Sequence, residues 1–326
     1  MSAIQEDVLR LYRESIVLDA AVPSMMQDLR EWRRYYDTGI SAIFATVVTT
    51  EDMPVTIERV SRYLELIKNN PRELMLAESV RDIENAKRDG KLAVALHFQN
   101  ARPLGRDVGM VDIYKRLGVG VIQLCYNYRN NLGDGCLEPE NAGLSQFGRK
   151  AVSRMNSAGV VVDLSHTGVR TTMTAMECSS NPDVFTHANA RGVYDHPRNL
   201  TDEQIKMLAS KRGVIGICSF PGFITDRTTT PSVADLLDHL DYMVSLVGID
   251  HVGLGTDFFH DSGYTSNIEL GNWDPQEYPV PPWHYPLDGS NTFQLAMGLH
   301  GRGYSESDIK KVLGENFMRV LSLVWN

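Results

Sequence analysis

The sequence predicts a (β/α)8 barrel of the TIM type. Three observations point to it: eight apolar runs of strand length, helix-forming segments between them, and polar residues that recur where the runs end. The runs are IVLDA at 16–20, AIFATVV at 42–48, LAVALHF at 92–98, VGVIQLCY at 119–126, VVVDLSH at 160–166, VFTHA at 184–188, VIGICSF at 214–220 and HVGLGTDF at 251–258. An open doubly wound sheet is the competing fold, but it would carry a glycine-rich phosphate turn after an early strand. No GxGxxG follows the first runs.

The linking segments fit the same plan. LSQFGRKAVSRMNSAG at 144–159 predicts a helix closed by Gly159. TDEQIKMLASKRG at 201–213 predicts one opened by a capping box of Thr201 and Gln204 and ended by Gly213. The alternation continues without repeats or low-complexity segments, so a single barrel domain over 1–326 is the expected organisation. The stretch that departs from the rhythm, about 259–288, is rich in Phe, Tyr, Trp and Pro. It is too apolar for a disordered linker and should pack on something, either as a pocket wall or as the subunit interface of a homo-oligomer. Its position directly after Asp257 favours the pocket wall, because βα loops build the site of a barrel.

Composition narrows the partners. A chain of 326 residues, 43% hydrophobic and 22% charged, is ordinary for a soluble protein, and the formal charge of −9 argues against nucleic acid or an anionic membrane. A small-molecule substrate is expected. The N-terminal MSAIQEDVLRLYRES is acidic early and has no long apolar stretch, which makes a cytoplasmic location the default. Cys125, Cys136, Cys178 and Cys218 lack CxxC spacing, and no chemical role is assigned to them.

In a barrel the strand C-termini share one mouth, so residues distant in sequence converge there. The run ends offer His97, Gln99 and Asn100; Tyr126; Asp163, Ser165 and His166; His187; and Asp257. A lone strand-end histidine is more often a hydrogen-bonded structural residue than a ligand. His166 and His187 on adjacent strands, with Asp257 near, favour a zinc-like ion, for which imidazole and carboxylate are usual ligands. His97 alternates in phase with Gln99, and whether it reaches the mouth stays open. The remaining histidines, at 196, 239, 251, 260, 284 and 300, are read as surface or packing residues.

The segments YNYRNNLGDGC, GLSQFGRKAVSRMNSAGVVVDLSHTG, THANARGVYDHPRN and GLGTDF resemble the membrane (renal) dipeptidase family, metal-dependent barrels of the amidohydrolase type. The resemblance runs from about residue 90 to 258, more loosely beyond. It implies hydrolysis of dipeptides with two zinc ions. It makes His166 and His187 the histidine ligands of one ion and Arg198 the holder of a substrate carboxylate. Asp257 becomes the last-strand aspartate near the metals, and Tyr126 stands where the family usually has a histidine that stabilises the tetrahedral intermediate. Apart from the resemblance, their place at the end of the third run makes Gln99, Asn100 and His97 candidates for substrate contact.

The departures are as specific as the matches. Family members open the first strand with a His-x-Asp pair, and here Ala21 and Pro23 occupy those positions. Gln99 replaces the bridging glutamate, and a neutral amide is a poor zinc ligand. The expectation is therefore a hydrolase of a small amide or dipeptide-like substrate bearing a carboxylate, with at most one zinc ion. A metal-free enzyme of another reaction class, or a non-catalytic small-molecule-binding barrel, are the alternatives.

Overall fold

The chain winds eight parallel strands into a barrel, with helices packed around it. The computed structural model describes residues 3–226 and 230–325; the ends of the expected 1–326 domain and residues 227–229 lie outside them. The strands are β1 (Leu18–Val22), β2 (Ala42–Val48), β3 (Leu74–Leu76), β4 (Leu92–Phe98), β5 (Val119–Gln123), β6 (Val161–Asp163), β7 (Val184–Phe185), β8 (Val214–Cys218) and β9 (Val252–Gly255). The barrel order is β1-β2-β4-β5-β6-β7-β8-β9. Each of the eight sequence runs supplies one barrel strand. The short β3, which the sequence reading missed, pairs alongside β4.

Buried strands alternate between two cores. Leu18, Phe44, Ala93, Ala95, Val121, Val161, Val184 and Val214 form one cluster with Phe317, Leu321 and Trp325 of the C-terminal segment. Phe44 meets Phe317 edge-on at 5.9 Å, and Trp325 donates to Gly120 O at 3.1 Å. Their strand neighbours Ile43, Val94, Ile122, Val162, Phe185, Ile215 and Leu254 belong to a second cluster with the surrounding helices. A period-two strand buried on both faces needs both partners, which is why its residues read as continuous apolar runs.

Several strands stop earlier than their apolar runs, and the cause is side-chain competition for the ladder. β6 ends at Asp163, whose Oδ1 takes the Ser165 N–H at 2.9 Å and the Thr186 N–H at 3.0 Å. That second bond also ends β7 at Phe185. β9 ends at Gly255 because the Thr256 N–H goes to Asp19 Oδ1 at 2.8 Å. The same carboxylate brings β9 round to β1, where Asp257 N also donates to Ala21 O at 3.0 Å.

Helix Gln146–Ala158 ends at a left-handed Gly159, and the Thr201/Gln204 capping box opens helix Asp202–Ser210. The second helix closes differently from the expectation: the left-handed residue is Arg212, not Gly213. Gly213 is required for space, since a Cβ there would lie 2.4 Å from Asp183 O. No helix among the described residues is long and apolar enough to cross a membrane.

Candidate metal and substrate site

His166, His187 and Asp257 converge at the C-terminal ends of their strands, with one ligand-capable atom of each inside a 4.8 Å group. The imidazole rings lie 4.9 Å apart at 61°, and His187 Nε2 is 3.9 Å from Asp257 Oδ1. Both Nε2 atoms are buried and have no hydrogen-bond partner. Burial, reinforced by the nearby positive charge of Arg198, pushes both imidazoles well below the usual histidine range, so they are neutral. A neutral imidazole with a bare buried nitrogen keeps a lone pair that an electrophile such as a metal ion could take up, and leaving such an acceptor unpaired is costly.

The other ring nitrogens are anchored. His166 Nδ1 lies 2.7 Å from Asn127 Oδ1, and His187 Nδ1 lies 2.7 Å from Thr186 Oγ1. Thr186 Oγ1 also reaches Asp163 Oδ2 at 2.6 Å, and His97 Nε2 reaches the same oxygen at 3.0 Å. Burial alone would raise the Asp163 carboxyl, but the bonds from His97 and Thr186 hold it well below the usual carboxylate range. The Ser165 hydroxyl donates to Asp163 and accepts the His187 backbone N–H. DLSH is thus an anchor, Asp163, followed by a candidate ligand, His166.

Local backbone geometry is unusual at the site. Asn127, His166 and Asp257 take φ of 56°, 58° and 53°, and the only other non-glycine residue with positive φ among the described residues is Arg212. Such conformations cost on the order of 1–3 kcal/mol each and persist where the surroundings impose them. Space is provided for them too. A Cβ on Gly216 or Gly255 would fall 2.1 or 1.9 Å from Thr186 O, so the glycines of VIGIC and GLGT let the segment before His187 approach β8 and β9.

A cavity of about 240 Å³ opens over this group, lined by Gln99, Tyr126, His166, Asp257, Glu51, Arg59 and the 259–288 segment among others. That segment contributes Trp273 and Tyr278, stacked at 4.6 Å. Trp273 Nε1 donates to Tyr126 OH at 2.9 Å, and Asn127 Nδ2 donates to Tyr278 OH at 2.9 Å. Tyr126 in turn stacks on His166 at 4.1 Å. Burial pushes Asp257 up to about 7, against the opposing effects of Arg198 and Gln99.

Arg198 is buried behind the cavity, its guanidinium 5.0 Å over the Phe223 ring and its Nη2 donating to His187 O at 3.2 Å. Its Nε has no partner. The acids that could have tied it down are engaged elsewhere: Asp195 faces Arg191, and Asp202 accepts from Tyr242. Of the residues expected beside the substrate, Arg198, His97 and Asn100 do not line the cavity. His97 is sealed in the barrel against Asp163, because its strand still points inward at that level, and Asn100 holds a turn by accepting from Arg102 N and Asn130 Nδ2. Gln99 does line it, with its amide donating to Thr46 Oγ1 at 3.1 Å.

The donor set fits one ion. Ala21 and Pro23 offer no ligating side chain, and the only group of three ligand-type side chains found among the described residues is His166, His187 and Asp257. The anchors Asp19, Asn127, Thr186 and Thr256 escaped the sequence reading. A signal was present: a threonine immediately precedes both His187 and Asp257.

Comparison with known proteins identifies the family. The family model of membrane dipeptidase, peptidase family M19, matches residues 8–281. An Aspergillus oryzae protein named dipeptidase aclJ is 29% identical over 271 residues, 82% of this chain and 60% of its own length. The chain thus spans about 60% of the length of this curated fungal relative. The crystal structure of an amidohydrolase from Pseudomonas aeruginosa superposes with a TM-score of 0.88 at 31% identity, covering 98% of this chain and 99% of that one. A Rhodobacter sphaeroides metallopeptidase, solved with a phosphinate mimic of the dipeptide L-Ala-D-Ala, shares the fold at a TM-score of 0.80, 20% identity, 96% of this chain and 100% of its own.

Proposed function

Since the chain belongs to the membrane dipeptidase family, we propose that it hydrolyses a small amide or dipeptide-like substrate bearing a carboxylate, using one zinc-like ion held by His166, His187 and Asp257. The observation that carries this reading is the pair of buried, partnerless Nε2 atoms facing a carboxylate within one 4.8 Å group. An ion bound there supplies Lewis-acid polarisation of a carbonyl and acidifies water.

The protein's own groups supply the rest. Asp257 has a second carboxylate oxygen beyond the one that faces the ion, and that oxygen is placed to accept and return the proton of a water. Tyr126 OH accepts from Trp273, a donor-only group, so its own proton is free to stabilise a developing oxyanion. Arg198 offers a buried guanidinium with a free Nε and, among the described residues, no counterion for the substrate carboxylate to displace. Trp273 and Tyr278 wall the cavity and exclude water from the reacting groups. The missing first-strand pair and the Gln99 amide limit the site to one ion.

The test is elemental analysis of protein prepared without chelator, combined with a library of dipeptides and simple amides with L- or D-configured C-terminal residues. About one zinc per chain and turnover of a carboxylate-bearing member are expected. Turnover unaffected by exhaustive chelation would overturn the metal assignment, and no turnover with zinc bound would overturn the hydrolase reading.

A further inference from the structure

Two of the three ligands are each preceded by a threonine that an aspartate of a neighbouring strand grips in the same way. Thr256 donates its N–H to Asp19 Oδ1 at 2.8 Å and its hydroxyl to Asp19 Oδ2 at 2.5 Å. Thr186 donates its N–H to Asp163 Oδ1 at 3.0 Å and its hydroxyl to Asp163 Oδ2 at 2.6 Å. In both cases Oδ1 also takes the backbone N–H two residues further along the chain, from Ala21 at 3.2 Å and from Ser165 at 2.9 Å. The two clasps match atom for atom. One seats Asp257, the other His187, on opposite sides of β8.

At His187 the clasp also sets the tautomer. An ionised carboxylate only accepts, so the single Thr186 hydroxyl proton goes to Asp163, and the oxygen is left to accept from His187 Nδ1–H. His97 fills the same carboxylate oxygen from the far side and keeps it occupied. Nε2 of His187 is then the lone-pair atom, which agrees with its lack of any donor or acceptor. Asn127 does the equivalent for His166: its amide nitrogen donates to Asn272 O at 2.9 Å, which orients Oδ1 to accept from His166 Nδ1–H.

We propose that Thr186 and Thr256, each clamped by its aspartate, are positioning residues that hold His187 and Asp257 as a preformed half-site for a divalent cation. The inference rests on the single-ion reading above and adds residues that touch neither ion nor substrate. Partners of this kind orient a ligand and raise its basicity, and their loss typically weakens metal binding 10- to 100-fold.

The experiment uses Thr186→Val and Thr256→Val, with Thr186→Ser and Thr256→Ser as conservative controls. Zinc affinity is measured by competition with a chromophoric chelator, and imidazole tautomers by nitrogen-15 NMR of the metal-free protein. The expected results are a single Nδ1-protonated tautomer for His187 in the wild type and a shift away from it in Thr186→Val. Both valine variants should bind zinc about 10- to 100-fold more weakly, and both serine variants should regain wild-type affinity. Wild-type affinity in the folded valine variants, or an affinity loss that serine does not restore, would overturn the proposal. A wild-type His187 protonated on Nε2 would overturn it without any variant, which matters if valine prevents folding. A wild type with the Nδ1–H tautomer that binds no zinc would instead sink the single-ion reading, and the Thr186→Val spectrum would still decide whether the clasp sets the tautomer.

Discussion

Asp19 of β1 accepts both the backbone N–H and the hydroxyl of Thr256, the residue that follows β9. The barrel is therefore closed at its seam by a buried carboxylate, next to the residue that carries the site's acid. Burial pushes Asp19 up to about 6, against the lowering effect of the Thr256 and Ala21 bonds.

That elevation makes a stability prediction with a definite sign. The folded state holds the Asp19 proton more tightly than the unfolded chain, whose aspartates titrate near 3.9, so raising the pH from about 4 through 6 costs stability, on the order of 3 kcal/mol in all, and the loss levels off by about pH 7. Asp19→Asn has no such proton to lose. Denaturant midpoints of wild type and variant across pH 4–7 should give a difference curve that moves in favour of Asn as pH rises and then flattens. A flat difference throughout would mean that Asp19 titrates in the fold as it does in the unfolded chain.

Gln99 lines the cavity beside Asp257, where an additional anion would meet the ion directly. Gln99→Glu is expected to tighten zinc binding by roughly tenfold or more, because an anionic oxygen offsets dication charge where an amide cannot. In the metal-free state the same change places a second carboxylate near Asp257 and should lower the melting temperature, since like charges in a buried site repel. Opposite signs with and without zinc, measured by calorimetry, are the signature. Equal zinc affinity in both proteins would show that the histidine pair does not present its ligands toward Gln99.

The fold was legible because its strands are buried on both faces, so that each reads as an unbroken apolar run and glycines and caps punctuate the rest. Strand ends were less legible. Run lengths overshoot β6, β7 and β9 because Asp163 and Asp19 divert backbone N–H groups from the ladder, a competition that depends on which strands become neighbours. His166, His187 and Asp257 could be found from strand-end position and family likeness. Thr186, Thr256 and Asn127 were harder: a threonine precedes both His187 and Asp257, but what each of the three does depends on a partner far away in the chain or on a ring nitrogen whose orientation exists only in three dimensions. His97 was misplaced beside the substrate for a related reason: period-two phase gives the face of a strand but not the depth of a residue within the barrel.

Arg198 is a buried cation with an unpartnered Nε and no ion-pair partner among the described residues. If it binds a substrate carboxylate, Arg198→Met should raise KM by roughly 10- to 100-fold, the equivalent of a charge-assisted contact of about 1.5–3 kcal/mol. The fold should tolerate the change, since replacing a buried charge that lacks a counterion by an apolar side chain removes a desolvation cost. Thermal melting and steady-state kinetics on a carboxylate-bearing substrate and its amide analogue separate the roles. A large melting loss with an unchanged KM ratio between acid and amide would make the residue a structural one, acting through His187 O.

Tyr126 lies between His166 and the wall of the cavity, stacked on the imidazole and accepting from Trp273. Burial pushes its phenol far above neutral pH, so it stays protonated and can act as a donor. Tyr126→Phe keeps the ring that stacks on His166 and removes only the hydroxyl. If that hydroxyl stabilises an oxyanion, kcat should fall about 10²- to 10³-fold with little change in KM, because the contact is made in the transition state. Trp273→Phe is the informative companion: it leaves the Tyr126 proton in place and removes the indole donor that orients it, so a smaller kcat loss is expected. Zinc affinity should be unchanged in both, since neither residue supplies a ligand. Equal kcat losses in the two variants, accompanied by weaker zinc binding, would mean that Tyr126 and Trp273 act by packing His166 into place rather than by donating to the substrate.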